Sequence, residues 1–381
     1  MTFTLKICFI APTIYSLLVG RNPKAVVGPD VHSFLLATEL LNHGFQVGFI
    51  TYGDGSEVEC INGLEIIKIA ERKSYLGKFC KAFYLWKAMK KAGAHIYIHS
   101  WSLGVSLICR LMNVRNVYEI ASDALVQKEV IDPKNREFHR PRFSLAGLLH
   151  TLDIKLADVI IVQTEFQRRM LKQNYKKESI VVRMPFPYLH ENSEKKELPV
   201  VLWVGSIADV KQPMLFLKLA KLIPKVKFQM IGGYTDTNRK LYEKIKQEAK
   251  RIPNLEFLGS VPFYRVNKYF KQASILVNTS RFEGFPNAFV QAWIYGVPVV
   301  SLNADPDEVI CRYKLGFHSK TFSQLVKDAK TLLEKEDLRN QIGENCKHYA
   351  KKEHDIATII KKYVIILKSL ANMKKNNSAL I

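Results

Sequence analysis

A chain of 381 residues is too long for one compact core, so two domains are expected. At 48% hydrophobic and 11% aromatic it reads as an ordinary globular chain, and no apolar run reaches the roughly 18 to 20 residues that a spanning helix needs. The 57 Lys and Arg against 35 Asp and Glu give a net charge of +22, which implies an anionic partner without saying whether it is lipid headgroup, nucleic acid or phosphorylated substrate.

The N-terminus lacks a basic-then-apolar leader with a small-residue cleavage site, so a cytoplasmic location is expected. The six cysteines, at 8, 60, 80, 109, 311 and 346, make no Cys-x-x-Cys pair and have no nearby His at metal-ligand spacing. They are expected to be reduced and mostly buried, with no metal site.

In chain order, Leu5 to Ala11 is an apolar strand followed by a loop that ends in Gly28-Pro-Asp30. Val31 to Asn42 then has helical apolar spacing, with Asp30 as the expected N-cap and Gly44 as the stop. Phe45, Val47 and Phe49 give a second strand, Leu64 to Ile69 a third, Lys81 to Lys91 a helix and Ile96 to His99 another strand. Strands recur at Asn116 to Ile120, Ala157 to Gln163 and Ile180 to Met184, and that rhythm predicts an α/β fold with a doubly wound parallel sheet.

Residues 188–198 carry the charge run Glu191 to Glu197 without apolar periodicity and read as an interdomain linker. The predicted division is therefore a first domain over 1–187 and a second over 199–352. A C-terminal helix over 353–372 and a tail over 373–381 complete it.

The second series opens on Pro199 to Gly205 and continues through a helix over Pro213 to Ile223. A strand over Val226 to Ile231 leads to Gly232-Gly233 and a charged helix from Asp236 to Arg251, then strands at Leu255 to Leu258 and Ala273 to Val277. Gly284-Phe-Pro-Asn287 is a turn, Ala288 to Tyr295 a short helix ended by Gly296, and Val297 to Leu302 the next strand. Such a strand, turn, helix and strand expose helix N-terminal amides at the carboxyl edge of a parallel sheet, where phosphate binds, and Glu283 lies at the mouth of that step. Helices are predicted at 324–336, 337–352 and 356–370, the last with Ile359, Ile360, Val364 and Leu367 at helical spacing.

Val201-Leu-Trp-Val-Gly-Ser-Ile-Ala-Asp-Val-Lys211-Gln-Pro, Phe228-Gln-Met-Ile-Gly-Gly233 and Glu283-Gly-Phe-Pro-Asn, with Gly296-Val-Pro-Val-Val, resemble the C-terminal domain of family 4 glycosyltransferases. The likeness covers the C-terminal half strongly and the N-terminal half loosely. It implies a GT-B fold, two Rossmann-like domains facing a cleft, with the last helix crossing back to the first domain. It also implies retaining transfer from a nucleotide-diphosphate sugar, with no cofactor and no obligatory metal.

On that resemblance Glu283, Lys211 and His99 are the candidate catalytic residues. Gly28, Gly205, Ser206, Lys211, Gly284, Phe285, Pro286, Asn287, Ala288 and Gln291 are the candidate donor-binding residues. His99 lies only approximately where the family has a histidine near the donor sugar, and a partly buried histidine without chemistry fits it equally. The chain has Ser206 where the family has an arginine on the diphosphate, which leaves more of the charge to Lys211. It also has Gln291 where the family's second glutamate meets the ribose.

The implied acceptor is a hydroxyl on a cell-envelope glycan or lipid-linked molecule. Basic residues at Lys134 to Arg142, Lys361-Lys362, Lys368 and Lys374-Lys375 suggest peripheral contact with anionic membrane on its inner face. No basic motif interleaved with aromatics is present, so nucleic acid is not the expected partner. Two other readings stay open: a GT-B nucleotide-sugar epimerase, and an inactive basic binding protein with this fold.

Overall fold

A computed structural model describes residues 4–20, 28–53, 58–70, 77–100, 102–127, 144–187 and 199–373. The expected linker, the basic run from Lys134 to Arg142 and the tail beyond Met373 lie outside the described residues.

The first sheet holds β1 (Lys6–Ile10), β2 (Gln46–Tyr52), β3 (Val58–Ile61), β4 (Leu64–Ile69), β5 (Ile96–His99), β6 (Arg115–Ile120), β7 (Val159–Val162) and β8 (Ile180–Val181). Their order across the sheet is β3-β4-β2-β1-β5-β6-β7-β8, and β3 pairs antiparallel with β4 while the described partners of the other strands are parallel. Its central strands are apolar runs, as at Ile7 to Ile10, because helices cover both faces of a parallel sheet. β3 escapes sequence reading because only four residues of an edge strand alternate there, and two of them face solvent.

The second sheet holds β9 (Val200–Val204), β10 (Lys227–Ile231), β11 (Leu255–Gly259), β12 (Ile275–Asn278), β13 (Val299–Ser301) and β14 (Gly316–His318), in the order β11-β10-β9-β12-β13-β14. All of these pairs are parallel. The helices Val105–Met112, Leu145–Leu156, Glu165–Tyr175 and Phe263–Gln272 were not anticipated. Asp30 does not cap its helix from outside. It lies in the first turn of Gly28–Asn42, buried, and accepts a hydrogen bond from the Thr13 hydroxyl.

The helix Ile356–Asn372 begins at an Asp355 cap, whose carboxylate accepts from the Thr358 amide at 2.9 Å. It buries Ile359, Ile360, Tyr363, Leu367 and Leu370 in the core of the first sheet. At about 1.5–3 kcal/mol for each large apolar side chain, that face holds the helix on the first domain. Tyr363 Oη donates to Glu119 Oε1 at 2.7 Å, with His32 Nε2 3.1 Å from the same hydroxyl. In the opposite direction, Val31 and Leu35 of the helix Gly28–Asn42 join the core of the second sheet. The two domains therefore meet along that helix, beside the loops that follow β9 and β12.

Candidate active site

In the second sheet the chain runs outward from β9 to β10 on one side and to β12 on the other. Loops leaving such a switch point diverge and open a crevice at the carboxyl edge of the sheet. The loop after β9 ends in the turn Asp209–Lys211, and the loop after β12 carries Glu283. Lys211 Nζ lies 2.5 Å from Glu283 Oε1 and 2.6 Å from Oε2.

Several bonds fix this pair. Glu283 Oε1 also accepts from Ser280 Oγ at 2.6 Å and from Asn278 Nδ2 at 3.3 Å. Thr279 Oγ1 donates to the Lys211 carbonyl at 2.7 Å and accepts from Trp203 Nε1 at 3.0 Å. The Arg281 amide donates to the Val210 carbonyl at 2.8 Å. Each loop is thereby tied to the other as well as to its own strand, so the carboxylate keeps its position if the ammonium turns elsewhere.

Gly205 and Ser206 begin the loop after β9. The Gly205 amide donates to the Ile231 carbonyl at 3.1 Å, and a Cβ on Gly232 would come within 2.3 Å of the Gly205 carbonyl oxygen. Glycine at 232 is what lets the ends of β9 and β10 approach so closely.

After Glu283 the chain meets the first domain. A Cβ on Gly284 would lie 2.4 Å from the Ala121 carbonyl oxygen. Asn287 Nδ2 donates to the Gly28 carbonyl at 3.0 Å. Phe285 and Pro286 are buried, with the Phe285 ring 5.0 Å from that of His354. Asn287 and Ala288 open the helix Asn287–Ile294, which no side chain among the described residues caps. Gln291 is buried in that helix, and its Nε2 has no hydrogen-bond partner among the described residues.

His99 does not join this group in any described contact. Its ring stacks on Tyr118 at 4.7 Å, Nε2 is 3.2 Å from Ser106 Oγ, and burial pushes its pKa down to about 3. It is a core histidine held neutral at physiological pH.

Two acids that the sequence did not single out do reach the domain boundary. Asp123, just beyond β6, accepts from Gln167 Nε2 at 2.8 Å; burial raises its carboxyl to about 6, with the charges of Asp307 and Glu283 adding to the rise. Asp307, beyond β13, bonds to residues of the first domain. The polar Ser122-Asp123 pair at a strand's carboxyl end was the available signal for the first, and the sequence offers none for the second.

The first sheet has its own switch point between β1 and β5, where a cleft of 240 Å³ is lined by Thr13, Pro29, Asp30, Ser33 and Ser100 among others. Burial raises the Asp30 carboxyl to about 6.

Residues 188–349 match the family model described as glycosyl transferases group 1. The second domain belongs to that family. The whole chain has the GT-B fold: it superposes on sucrose-phosphate synthase from Thermosynechococcus elongatus with a TM-score of 0.77 at 15% identity, covering 96% of this chain and 99% of that one. Anabaena HepE, solved in complex with UDP and glucose, gives 0.70 at 16% identity, with 96% and 100% covered.

Among curated proteins, the chain is 29% identical over 187 residues to an uncharacterized 41.2 kDa protein in the cps region of Klebsiella pneumoniae, covering 47% of this chain and 49% of that one. It is 26% identical over 170 residues to the amylovoran biosynthesis glycosyltransferase AmsD of Erwinia amylovora, covering 41% and 46%. The match spans about half the length of these two relatives. In the glycosyltransferase domain, then, Lys211 and Glu283 stand at the switch point, with Gly284 and Asn287 pressed against the first domain.

Proposed function

We propose that the protein transfers a sugar, with retained anomeric configuration, from a nucleotide-diphosphate sugar to a hydroxyl of a glycan or lipid-linked acceptor. The observation that carries this reading is the Lys211–Glu283 pair at the switch point, with the uncapped start of the helix Asn287–Ile294 beside it. Lys211 and those amides stabilise the charge that grows on the leaving diphosphate. Glu283, held by Ser280 and Asn278 when Lys211 turns to phosphate, faces the transferred sugar. The leaving phosphate takes the acceptor proton, so no opposed pair of acids of the glycosidase kind is needed.

Gln291 supports the nucleotide end, because a buried amide donor without a partner among the described residues suits a ribose hydroxyl. The cleft around Asp30 and Ser100 in the first domain is the acceptor side. Synthesis of an envelope or extracellular polysaccharide is consistent with the relative named for amylovoran biosynthesis. Among the described residues no helix is long and apolar enough to cross a membrane. Exposed Lys361, Lys362, Lys368 and Ile365 on the last helix favour peripheral contact with anionic lipid, at about 1 kcal/mol per engaged cation.

Thermal-shift measurements with a panel of nucleoside diphosphates test the donor site. A ligand at 100 times its dissociation constant should add about 2.7 kcal/mol to stability. Incubation with radiolabelled nucleotide-sugars and membrane extract then distinguishes label passed to an acceptor from an isomerised donor. Failure of every nucleotide to bind would overturn the reading.

A further inference from the structure

Asp305, Cys311 and His318 come from three separate elements: the loop after β13, the short helix Val309–Arg312 and the end of β14. β13 and β14 pair in parallel with Ser301 opposite His318, which brings that histidine over the loop. One ligand atom from each of the three side chains lies within 4.8 Å of the other two, and His318 Nδ1 is 3.8 Å from Asp305 Oδ2. The aspartate is oriented by amides from its own side: Ile310 N donates to Oδ1 at 2.7 Å and Cys311 N to Oδ2 at 3.3 Å. Fixed second contacts of this sort hold a ligating carboxylate in place.

We propose that Asp305, Cys311 and His318 bind Zn²⁺, with water as the fourth ligand. Zinc takes sulfur at about 2.3 Å and nitrogen or oxygen at about 2.0–2.2 Å, so the ligand atoms of a tetrahedral site lie roughly 3.3–3.8 Å apart. The His318–Asp305 separation of 3.8 Å lies at the upper end of that spacing, and all three ligand atoms lie within 4.8 Å of one another. Capping of the short helix explains the two amide bonds of Asp305, but it does not explain a thiol and an imidazole both facing the same carboxylate.

The charges also match, since a carboxylate and a thiolate together neutralise a divalent cation. On binding, the sulfur–hydrogen bond breaks, a sulfur–zinc bond forms, and one proton leaves to solvent. The metal joins the loop that carries Asp307 to the sheet edge.

Chelator-treated full-length protein titrated with Co²⁺ tests the site. One equivalent should produce a thiolate-to-cobalt charge-transfer band with visible bands of tetrahedral intensity, and Zn²⁺ should displace both. Cys311→Ser should abolish the charge-transfer band, and His318→Gln should weaken Co²⁺ binding by more than the roughly 10- to 100-fold that loss of an outer contact costs. Cys60→Ser, which changes an exposed thiol outside the group, should leave the spectrum unchanged. Absence of a saturable band, or a band that survives Cys311→Ser, would overturn the proposal. If Cys311→Ser does not fold, wild-type affinity in His318→Gln overturns it equally.

Discussion

Asp307 and Arg183 meet across the domain boundary, with the Arg183 guanidinium nitrogen 2.8 Å from Asp307 Oδ2. The same carboxylate accepts from the amides of Glu165 at 2.9 Å and Phe166 at 3.0 Å, so a residue of the second domain caps the helix Glu165–Tyr175 of the first. Asp307 and the following Glu308 have φ of +52° and +58°, left-handed values that non-glycine residues hold only when their surroundings impose them.

This contact should hold the cleft together. Asp307→Ala removes a charged cap and leaves Arg183 without that partner, at a cost of about 1–3 kcal/mol. The expected result is a lower melting temperature, a larger radius of gyration in solution scattering and about tenfold weaker kcat/KM for the donor. An unchanged radius together with unchanged kinetics would show that the contact does not govern domain position.

Glu283 and Gln291 should separate in kinetics. Glu283→Gln should depress turnover far more than donor affinity, because a carboxylate beside the sugar matters most as positive charge develops at the anomeric carbon. Gln291→Ala should weaken donor binding by about 1–2 kcal/mol through loss of a hydrogen bond, whereas Gln291→Glu should stay active. Near-normal turnover in Glu283→Gln, or unchanged donor affinity in Gln291→Ala, would mean that the donor lies elsewhere.

Gly284 offers a steric test. Its Cβ position is 2.4 Å from a backbone oxygen of the first domain, which cannot yield as a side chain would. Gly284→Ala should therefore force the domains apart there, with at least a tenfold loss of kcat/KM and far-ultraviolet circular dichroism unchanged. Full activity in that variant would show that the approach of Gly284 to Ala121 is not needed for turnover.

Acid should act through buried imidazoles. Burial lowers the pKa of both His99 and His354 to about 3, while an unfolded histidine titrates near 6.5. Between those values the unfolded chain binds protons that the native one does not, so these groups lose stability as pH falls, by about 1.4 kcal/mol per pH unit for each. Asp30 and Asp123, raised to about 6, have the opposite sign below that pH and offset part of the loss. His99→Gln removes one histidine contribution, so its stability relative to wild type should improve by about 2 kcal/mol between pH 7 and pH 5. Urea denaturation at the two pH values measures this; a constant difference between the proteins would contradict it.

Much of the architecture was legible locally. Apolar runs mark β1, β9 and β12, the second bounded by Pro199 and Gly205, and helical spacing of Ile359, Ile360 and Leu367 marks the buried face of the last helix, because chain neighbours a few residues apart decide burial in such elements. Glu283 was legible for the same reason, as an acid at a strand-to-helix turn. The helices Val105–Met112, Glu165–Tyr175 and Phe263–Gln272 were missed because each follows its strand after only a brief turn.

What tertiary structure alone decided is who meets whom. Lys211 and Glu283 are 72 positions apart, and Arg183 and Asp307 are 124 apart. Strand order brings the first pair together at a switch point, and domain docking brings the second. The same dependence moved His99 into the core and placed Cys311 beside His318, since burial and metal-ligand distance are set by packing between elements and not by spacing along the chain.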